Sequence, residues 1–285
     1  MDGGMEHSIT GLKDGELERF LEFFYRRTGI TFPKTKLTLV ERRILNVMSQ
    51  LGYRSFRDGF LKLKTSHGGP EMQRMINALT INETYFYREQ HHLELLVKSV
   101  LPEITAASRF SRSVRIWSVP CSTGEEPYSI GIYLLENWPG AEEYDIELVG
   151  SDIDTNALKA AGEAQYTARA VSRLPQSVVS RYFRTNVPGQ QYALCRDVAD
   201  AVSFSHINLL EQKDAAKIRN IDVVFCRNLL IYFDDASRRI AIEHIYESLK
   251  PGGYVFLGHA ESMSRMSSLF EAKRHDNQIL YRKPV

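Results

Sequence analysis

The stretch that decides the fold runs from residue 114 to residue 154 and begins with the hydrophobic run VRIWSVP at 114–120. A tight polar loop follows, CSTGEEP at 121–127, and a helical segment then leads to a second hydrophobic run, IELVGSD at 146–152. A strand, a helix and a second strand in this order predict a βαβ unit and therefore a parallel sheet. Ligands bind such sheets outside the carboxyl ends of the strands, so the loop and the acidic end of the second run are both expected at one crevice.

The CSTGEEP loop is poorly suited to binding phosphate. Phosphate-binding loops offer several glycines, whereas this loop has only Gly124 and places Glu125 and Glu126 at the start of the helix. The helix dipole alone could explain acids at that position. Asp152 ends the second run, where an acid accepts hydrogen bonds from a ribose diol, although Asp is also frequent in ordinary turns. A ligand with a ribose and cationic groups but no phosphate fits these acids, and S-adenosylmethionine is the commonest such cofactor.

The size and composition of the chain indicate a soluble enzyme. Its 285 residues, 43% of them hydrophobic, suffice for one large core and a small second domain. No apolar run approaches the ~18 residues that span a bilayer, and MDGGMEHS at the start lacks the hydrophobic region of a secretion signal. The three cysteines, Cys121, Cys195 and Cys226, are widely spaced and odd in number, which favours free thiols. We expect a cytoplasmic monomer that does not insert into membranes.

Positive charge is concentrated in one part of the chain. Residues 26–64 contain ten Lys or Arg and two acids, a formal charge of +8 in a chain whose net charge is +1. A basic face beside a catalytic domain suggests an acidic macromolecular partner, either a nucleic acid or an acidic protein surface. A set of solvated helix faces without any partner is an equally good interpretation of the charge alone.

The rest of the pattern predicts an α/β fold of the methyltransferase type, with a Rossmann-like, mostly parallel sheet that ends in an antiparallel hairpin. We expect an all-α domain with the basic face at 1–78, a linker and connecting helix at 79–110, and the cofactor-binding catalytic domain at 111–285. The segments RYFRTN, YALCRD and VSFSHI alternate in polarity between turn signals, which predicts a small antiparallel β appendage inserted at about 174–208.

Several longer strings make the chain resemble the CheR-type chemoreceptor methyltransferases. These strings are INALTINETYFYRE, IWSVPCSTGEEPYSI, GSDIDTNAL, FCRNLLIYF, LKPGG and GHAES, and they cover nearly the whole chain in the order of the family. Enzymes of this family use S-adenosylmethionine to methylate glutamate side chains of bacterial chemotaxis receptors, with S-adenosylhomocysteine as the product. The resemblance therefore implies a protein-glutamate O-methyltransferase that acts in chemotactic signal transduction.

The resemblance also implies roles for individual residues. In such enzymes, residues of the linker and of the end of the fourth strand hold the cofactor. The second Glu of the GEEP loop faces its methionine end, and the acid after the second strand binds its ribose. A pair of residues lies beside the adenine. At the matching positions stand Asn82, Thr84, Arg88, Glu126, Asp152, Asn208, Leu209, Arg227 and Asn228. Arg88 and Tyr232 are the expected catalytic residues. Tyr232 matches a position close to the transferred methyl group. Lys36, Arg42 and Arg43 match the basic helix that binds the acidic receptor helices.

The proposed chemistry needs few catalytic groups. A glutamate carboxylate, with a reference pKa of about 4.3, is already ionised near neutral pH, so its attack on a sulfonium methyl group requires no general base. Positioning can supply on the order of 7 to 11 kcal/mol of the barrier. We expect no metal, because His91 and His92 are adjacent, face different sides of a helix and lack the spacing of metal ligands.

Two other functions remain open from the sequence. One is a non-catalytic signalling adaptor that senses S-adenosylmethionine, and the other is an RNA methyltransferase that uses the basic face; the resemblance favours a receptor over nucleic acid. Some family members bind a receptor's carboxyl-terminal peptide through a glycine-studded turn in the β appendage. The corresponding stretch RYFRTNVPGQQYALC has the single glycine Gly189, so we expect recognition mainly through the methylation helices. The sequence does not identify the receptor or the modified glutamates.

Overall fold

The computed structural model describes residues 11–66, 69–107, 112–185, 191–263, 267–275 and 278–285. The chain divides into two compact units, Met1–Ile81 and Asn82–Val285. The turn that contains Gly189 lies outside the described residues, so the expectation about peptide docking there is not addressed by the structure. Along the described residues, no helix combines the length and the apolar character that crossing a membrane requires.

The smaller unit is entirely helical in its described part. Its helices are α1 (Glu16–Thr28), α2 (Leu37–Gln50), α3 (Phe56–Thr65) and α4 (Pro70–Leu79), with a 3-10 turn at Lys34–Lys36. Ser55 caps α3, because its side chain accepts a hydrogen bond from the backbone N–H of Asp58. Phe20 and Phe24 of α1 are fully buried, and Phe20 packs against Phe56 and Phe60 of α3. An aromatic cluster therefore holds α1 and α3 together.

The larger unit is built on a seven-stranded sheet with the spatial order β6-β2-β1-β7-β8-β10-β9. Its strands are β1 (Ser113–Ser118), β2 (Asp145–Asp152), β6 (Val202–His206), β7 (Ile221–Cys226), β8 (Leu249–Leu257), β9 (Glu271–His275) and β10 (Gln278–Arg282). Strands β6, β2, β1, β7 and β8 run parallel, and β8, β10 and β9 pair antiparallel. This confirms the predicted fold class.

Helices connect and cover the strands of the sheet. They are α5 (His91–Leu95), α6 (Leu101–Ala107), α7 (Glu125–Asn137), α8 (Thr155–Glu163), α9 (Ala168–Val171), α10 (Gln176–Tyr182), α11 (Arg196–Ala199), α12 (Gln212–Ala215) and α13 (Asp235–Ser248). A π-helical turn, Leu96–Val100, joins α5 to α6, and 3-10 turns lie at Pro139–Glu142 and Leu230–Tyr232. Strand β7 is buried along its whole length, as expected for a central parallel strand. None of the three cysteines is in a disulfide, which confirms that the thiols are free.

The crevice that the sequence predicts lies where the strand order of the sheet reverses. From β1 the chain moves outward to β2 and β6, and then returns to the other side of β1 with β7. The loops after β1 and β7 therefore diverge from two neighbouring strands, and a crevice opens between them at the carboxyl ends. The GEEP loop follows β1, and Arg227 with Asn228 follows β7.

The prediction of the β appendage is wrong in its extent. The separate antiparallel sheet has the order β3-β5-β4 and consists of β3 (Gln165–Tyr166), β4 (Phe183–Thr185) and β5 (Tyr192–Leu194). The segment VSFSHI belongs to β6, which pairs parallel with β2 in the main sheet. As an edge strand, β6 is partly exposed, and its alternating polarity imitates the pattern of an antiparallel strand.

Candidate functional site

The loop after β1 turns on a glycine that no other residue could replace without strain. Gly124 has a φ of 94°, in the left-handed region, and precedes α7. A Cβ added there would lie 2.9 Å from Tyr128 Cε2 and 3.0 Å from the Tyr166 hydroxyl oxygen. That hydroxyl donates to the carbonyl of Thr123 at 2.9 Å, which fixes the loop. Helix α7 therefore starts with Glu125 and Glu126 close to the end of β1, as the sequence predicts.

Asp152 lies at the end of β2 beside this loop and is almost completely buried. Its Oδ2 accepts a hydrogen bond from the backbone N–H of Ser122 at 2.8 Å, and its Oδ1 accepts one from Asp154 N–H at 2.9 Å. Burial raises the pKa of Asp152 to about 6, although these backbone bonds oppose the rise. The carboxylate is thus held rigidly in place, and its protonation changes close to neutral pH.

The linker is attached to the sheet two residues beyond Asp152. Asp154 caps α8 by accepting hydrogen bonds from the backbone N–H groups of Asn156 and Ala157. Its other oxygen accepts a hydrogen bond from Asn82 Nδ2 at 2.7 Å. This hydrogen bond joins the linker to the residue two positions after Asp152, although 72 residues separate Asn82 from Asp154 in the sequence. Phe86 N–H donates to the carbonyl of Ala170 at 3.0 Å and further fixes the linker.

Glu126 and Arg227 form a buried ion pair between the loops after β1 and β7. Arg227 Nη1 lies 2.7 Å from Glu126 Oε2, and the side chains are 3% and 14% exposed. Glu126 Oε1 accepts a hydrogen bond from Ser118 Oγ at 2.8 Å. Burial raises the pKa of Glu126, while the Arg227 guanidinium lowers it and so favours the charged form. A carboxylate and a guanidinium of fixed geometry therefore stand side by side in the crevice.

Arg227 also anchors the linker. Its Nη2 donates to the carbonyl of Arg88 at 2.8 Å and lies 3.3 Å from Glu89 Oε2. Tyr87 and Glu89 have φ values of 58° and 55°, a left-handed conformation that is unusual for such residues. Arg88 itself is half-buried, and its Nη1 donates to the carbonyl of Glu83 at 2.7 Å. The backbone around Arg88 is thus held from both sides.

Glu261, a residue without a predicted role, shapes the loop after β7. Glu261 Oε2 accepts hydrogen bonds from the backbone N–H groups of Asn228 and Gly258, each at 2.8 Å, and Oε1 accepts one from Leu230 N–H at 2.7 Å. Asn228 has a φ of 59°, and this carboxylate stabilises that conformation. The GHAES string contains Glu261, but its partners are backbone groups, which have no signature in the sequence.

The remaining predicted site residues lie on neighbouring loops. Asn208 follows β6, and its Oδ1 accepts a hydrogen bond from Leu210 N–H at 3.1 Å. The carbonyl of Leu209 lies 2.7 Å from His244 Nδ1, so α13 supports this loop. Burial raises the pKa of Tyr232, and the Arg88 charge acts in the opposite direction. Thr84 is half-buried within the linker. Lys36, Arg42 and Arg43 belong to the smaller unit.

The polar groups of the crevice fit S-adenosylmethionine. Its amino-acid end carries an ammonium and a carboxylate, and the crevice offers Glu126 for the first and Arg227 for the second. Arg227 Nε is buried without a hydrogen-bond partner, so one donor of the guanidinium is still to be satisfied. Ser122 Oγ, beside Asp152, is likewise buried without a partner. Both unsatisfied groups belong to the two loops that the strand order brings together.

Comparison with known proteins identifies the family of this chain. The family model described as CheR methyltransferase, all-alpha domain, matches residues 15–80, and that described as CheR methyltransferase, SAM binding domain, matches residues 82–279. Chemotaxis protein methyltransferase 2 of Vibrio cholerae is 47% identical over 273 residues, 96% of this chain and 94% of that protein. Chemotaxis protein methyltransferases 1 and 2 of Pseudomonas aeruginosa are 33% and 36% identical and cover 94% and 89% of this chain, and 98% and 89% of their own lengths. The chain therefore belongs to the CheR methyltransferase family, and its cofactor is S-adenosylmethionine.

Proposed function

We propose that this chain transfers the methyl group of S-adenosylmethionine to glutamate side chains on the cytoplasmic helices of chemoreceptors, forming glutamyl methyl esters for sensory adaptation. The observation that carries the proposal is the match over nearly the full length to proteins named chemotaxis protein methyltransferase. The place of action would be the cytoplasm, where such receptor helices lie.

The site suits an acceptor that arrives already ionised. Bound S-adenosylmethionine supplies an electrophilic methyl group on a positively charged sulfur. An acceptor carboxylate needs no proton removed, and burial raises the pKa of Tyr232, so its hydroxyl stays protonated and acts as a hydrogen-bond donor. Burial and the Arg227 charge also lower the pKa of His92 to about 3, which leaves this imidazole neutral. The chain's contribution is therefore orientation and charge, not base catalysis.

Each predicted residue has a distinct task in this proposal. Asp152 would accept hydrogen bonds from the ribose hydroxyls, and Asn208 with Leu209 would border the adenine. Glu126 would face the ammonium of the methionine end. Arg88 and Tyr232 would orient the acceptor carboxylate, since Arg88 carries a positive charge and Tyr232 a hydroxyl. Thr84, Asn82 and Asn228 would line the cofactor from the linker and from the loop after β7.

The receptor would bind through the basic helices of the smaller unit. Lys36 and Arg42 are exposed, as a docking surface for acidic helices requires. Arg43 differs from them, because its Nη1 donates to the carbonyl of Ala78 at 3.2 Å at the end of α4. A charge change at Arg43 would therefore disturb α4 as well as any partner contact, so Lys36 and Arg42 are the better positions for a test.

The acceptor can be identified by incubating the protein with methyl-labelled S-adenosylmethionine, a chemoreceptor cytoplasmic fragment and bacterial RNA. We expect label on the receptor fragment that is released as methanol by mild base, because carboxylate esters hydrolyse under those conditions. Peptide mass spectrometry should then locate it on glutamates. Label on RNA would support the nucleic-acid alternative instead. Cofactor binding with no label on either would support the sensing adaptor.

Charge reversal tests the partner surface separately from the chemistry. The double variant Lys36→Glu with Arg42→Glu should raise the KM for the receptor fragment and leave the affinity for S-adenosylhomocysteine unchanged. Lys213→Glu, an exposed charge reversal in the larger unit, is the matched control and should change neither quantity. An unaltered receptor KM in the double variant would remove these two residues from the interface.

A further inference from the structure

Three side chains at the start of α5 converge although the sequence gives them no metal-binding pattern. Glu89, His91 and His92 each bring one donor atom into a group in which all three atoms lie within 4.8 Å of one another. In the part of the chain that the structure describes, this is the one group of three His, Cys, Asp or Glu residues that approaches so closely. The expectation that no metal binds considered only the adjacent histidines, and Glu89 changes that geometry.

The convergence follows from the local backbone. The left-handed conformation of Glu89 turns its side chain back toward α5, and the N–H of His92 donates to the carbonyl of Glu89 at 3.0 Å. His92 Nδ1 consequently lies 3.6 Å from Glu89 Oε2. His91 and His92 also contact each other, with ring centroids 4.3 Å apart. One tight turn thus gathers a carboxylate and two imidazoles.

Two atoms of this group are buried and lack a hydrogen-bond partner. They are Glu89 Oε2 and His92 Nδ1, and the His92 residue is only 5% exposed. Of the two, Glu89 Oε2 has an ion-pair partner in Arg227 Nη2 at 3.3 Å, and His92 Nδ1 lies 3.6 Å from that same oxygen. A buried polar atom without a hydrogen-bond partner costs about 1–3 kcal/mol. A bound cation would satisfy both atoms at once, because a neutral imidazole and a carboxylate each offer it a lone pair.

We propose that Glu89, His91 and His92 form a binding site for a divalent transition-metal cation of the Zn²⁺ type. Two imidazole nitrogens and one carboxylate oxygen are a common protein ligand set for Zn²⁺, with a fourth position left for water. Ligand atoms about 2.1 Å from the metal in a tetrahedron lie about 3.4 Å apart, so donors within 4.8 Å of one another must close by up to about 1.4 Å. Side-chain rotation of Glu89 and His91, both only half-buried, provides that movement.

The cation would act on the cofactor site through Arg227. Glu89 Oε2, the oxygen in the group, is the same atom that lies 3.3 Å from Arg227 Nη2. A metal on this oxygen takes it from Arg227 and places a second positive charge next to the guanidinium, which also binds Glu126. We therefore expect occupancy by Zn²⁺ to weaken the binding of S-adenosylhomocysteine, whose amino-acid end the proposed function places at this pair.

The test uses the full chain without a purification tag, freed of metal by a chelator. Calorimetry with Zn²⁺ and visible absorption with Co²⁺ should show one site in the wild type, with the strong absorption of tetrahedral Co²⁺. His92→Asn and His91→Asn should each weaken binding at least about tenfold, since even the loss of an outer partner of a metal ligand has that effect. His275→Asn, on strand β9, is the control and should bind as the wild type does. Circular dichroism establishes that each variant is folded.

Calorimetry of S-adenosylhomocysteine with and without Zn²⁺ completes the test. The metal should weaken this ligand's binding in the wild type and leave it unaffected in His91→Asn, whose half-buried position makes it the safer variant for folding. No stoichiometric metal binding, or equal metal affinity in the wild type and His91→Asn, would overturn the site. An unchanged affinity for S-adenosylhomocysteine in metal-loaded wild type would overturn the link through Arg227.

Discussion

Replacing Arg227 by Met probes the ion pair that joins the two halves of the candidate site. The guanidinium is 3% exposed and contacts Glu126, Glu89 and the carbonyl of Arg88. Met preserves most of the length and apolar volume of the side chain but removes the charge and every donor. The substitution therefore leaves two carboxylates facing each other across a buried space.

The magnitude follows from that burial. Removing one partner of a buried ion pair destabilises a protein by about 3–5 kcal/mol, because the remaining charge is left without compensation. Glu126→Gln should cost less, about 1–2 kcal/mol, since Arg227 keeps Glu89 and the Arg88 carbonyl as partners. The double variant Arg227→Met with Glu126→Gln should be more stable than Arg227→Met alone, because it has no stranded carboxylate at position 126. The effect of Glu126→Gln on stability thus changes sign, from destabilising in the wild type to stabilising in Arg227→Met.

Urea unfolding followed by tryptophan fluorescence measures these differences in the larger unit, which contains the ion pair. The chain has two tryptophans, and both Trp117 and Trp138 are buried in the larger unit. The four proteins of the cycle should be compared near neutral pH without cofactor and with equal denaturant slopes.

The pH dependence follows from the pKa of Glu126. Burial already raises this pKa, and without Arg227 it should rise further. Because the folded state then binds a proton more tightly than the unfolded state, the deficit of Arg227→Met should shrink as the pH falls from about 8 to about 5. A loss below about 1 kcal/mol, the value for an exposed pair, would refute the reasoning. A double variant no more stable than Arg227→Met would refute it as well.

Two further predictions concern single carboxylates. Burial raises the pKa of Asp152 to about 6, so acidification below that value neutralises the proposed acceptor of the ribose hydroxyls, and calorimetry should show the affinity for S-adenosylhomocysteine falling by up to about tenfold per pH unit. Asp152→Asn should bind S-adenosylhomocysteine weakly at neutral pH and should not show this pH dependence. An affinity of the wild type that does not depend on pH would contradict the assignment. Glu261→Gln should lower the free energy of unfolding by about 1–3 kcal/mol, because only one of the two terminal atoms of an amide can accept hydrogen bonds from the N–H groups of Asn228, Gly258 and Leu230. Receptor methylation should fall as well. Full activity in the folded variant would show that the loop after β7 keeps its shape without this carboxylate.

The central strands and the loop after β1 were predictable because their physics is local. Buried parallel strands read as continuous apolar runs, and the isolated Gly124 marks the turn into α7. Strand β6 was assigned to the wrong sheet because an edge strand alternates in polarity whichever sheet it joins. The ion pair of Arg227 with Glu126 escaped detection because its partners are 101 residues apart in the sequence, and Glu261 escaped it because its partners are backbone N–H groups. The donor group at Glu89 depends on a left-handed backbone at a non-glycine residue, which composition does not reveal.

The central claim is that Asp152 and the pair of Glu126 with Arg227 bind opposite ends of one cofactor. Calorimetry with S-adenosylhomocysteine and with 5′-methylthioadenosine, which has the ribose and adenine but no amino-acid end, separates the two. Asp152→Asn should weaken the binding of both ligands, whereas Glu126→Gln should weaken S-adenosylhomocysteine and leave 5′-methylthioadenosine unchanged. Equal losses for both ligands in Glu126→Gln, or unchanged binding of 5′-methylthioadenosine in Asp152→Asn, would contradict the account.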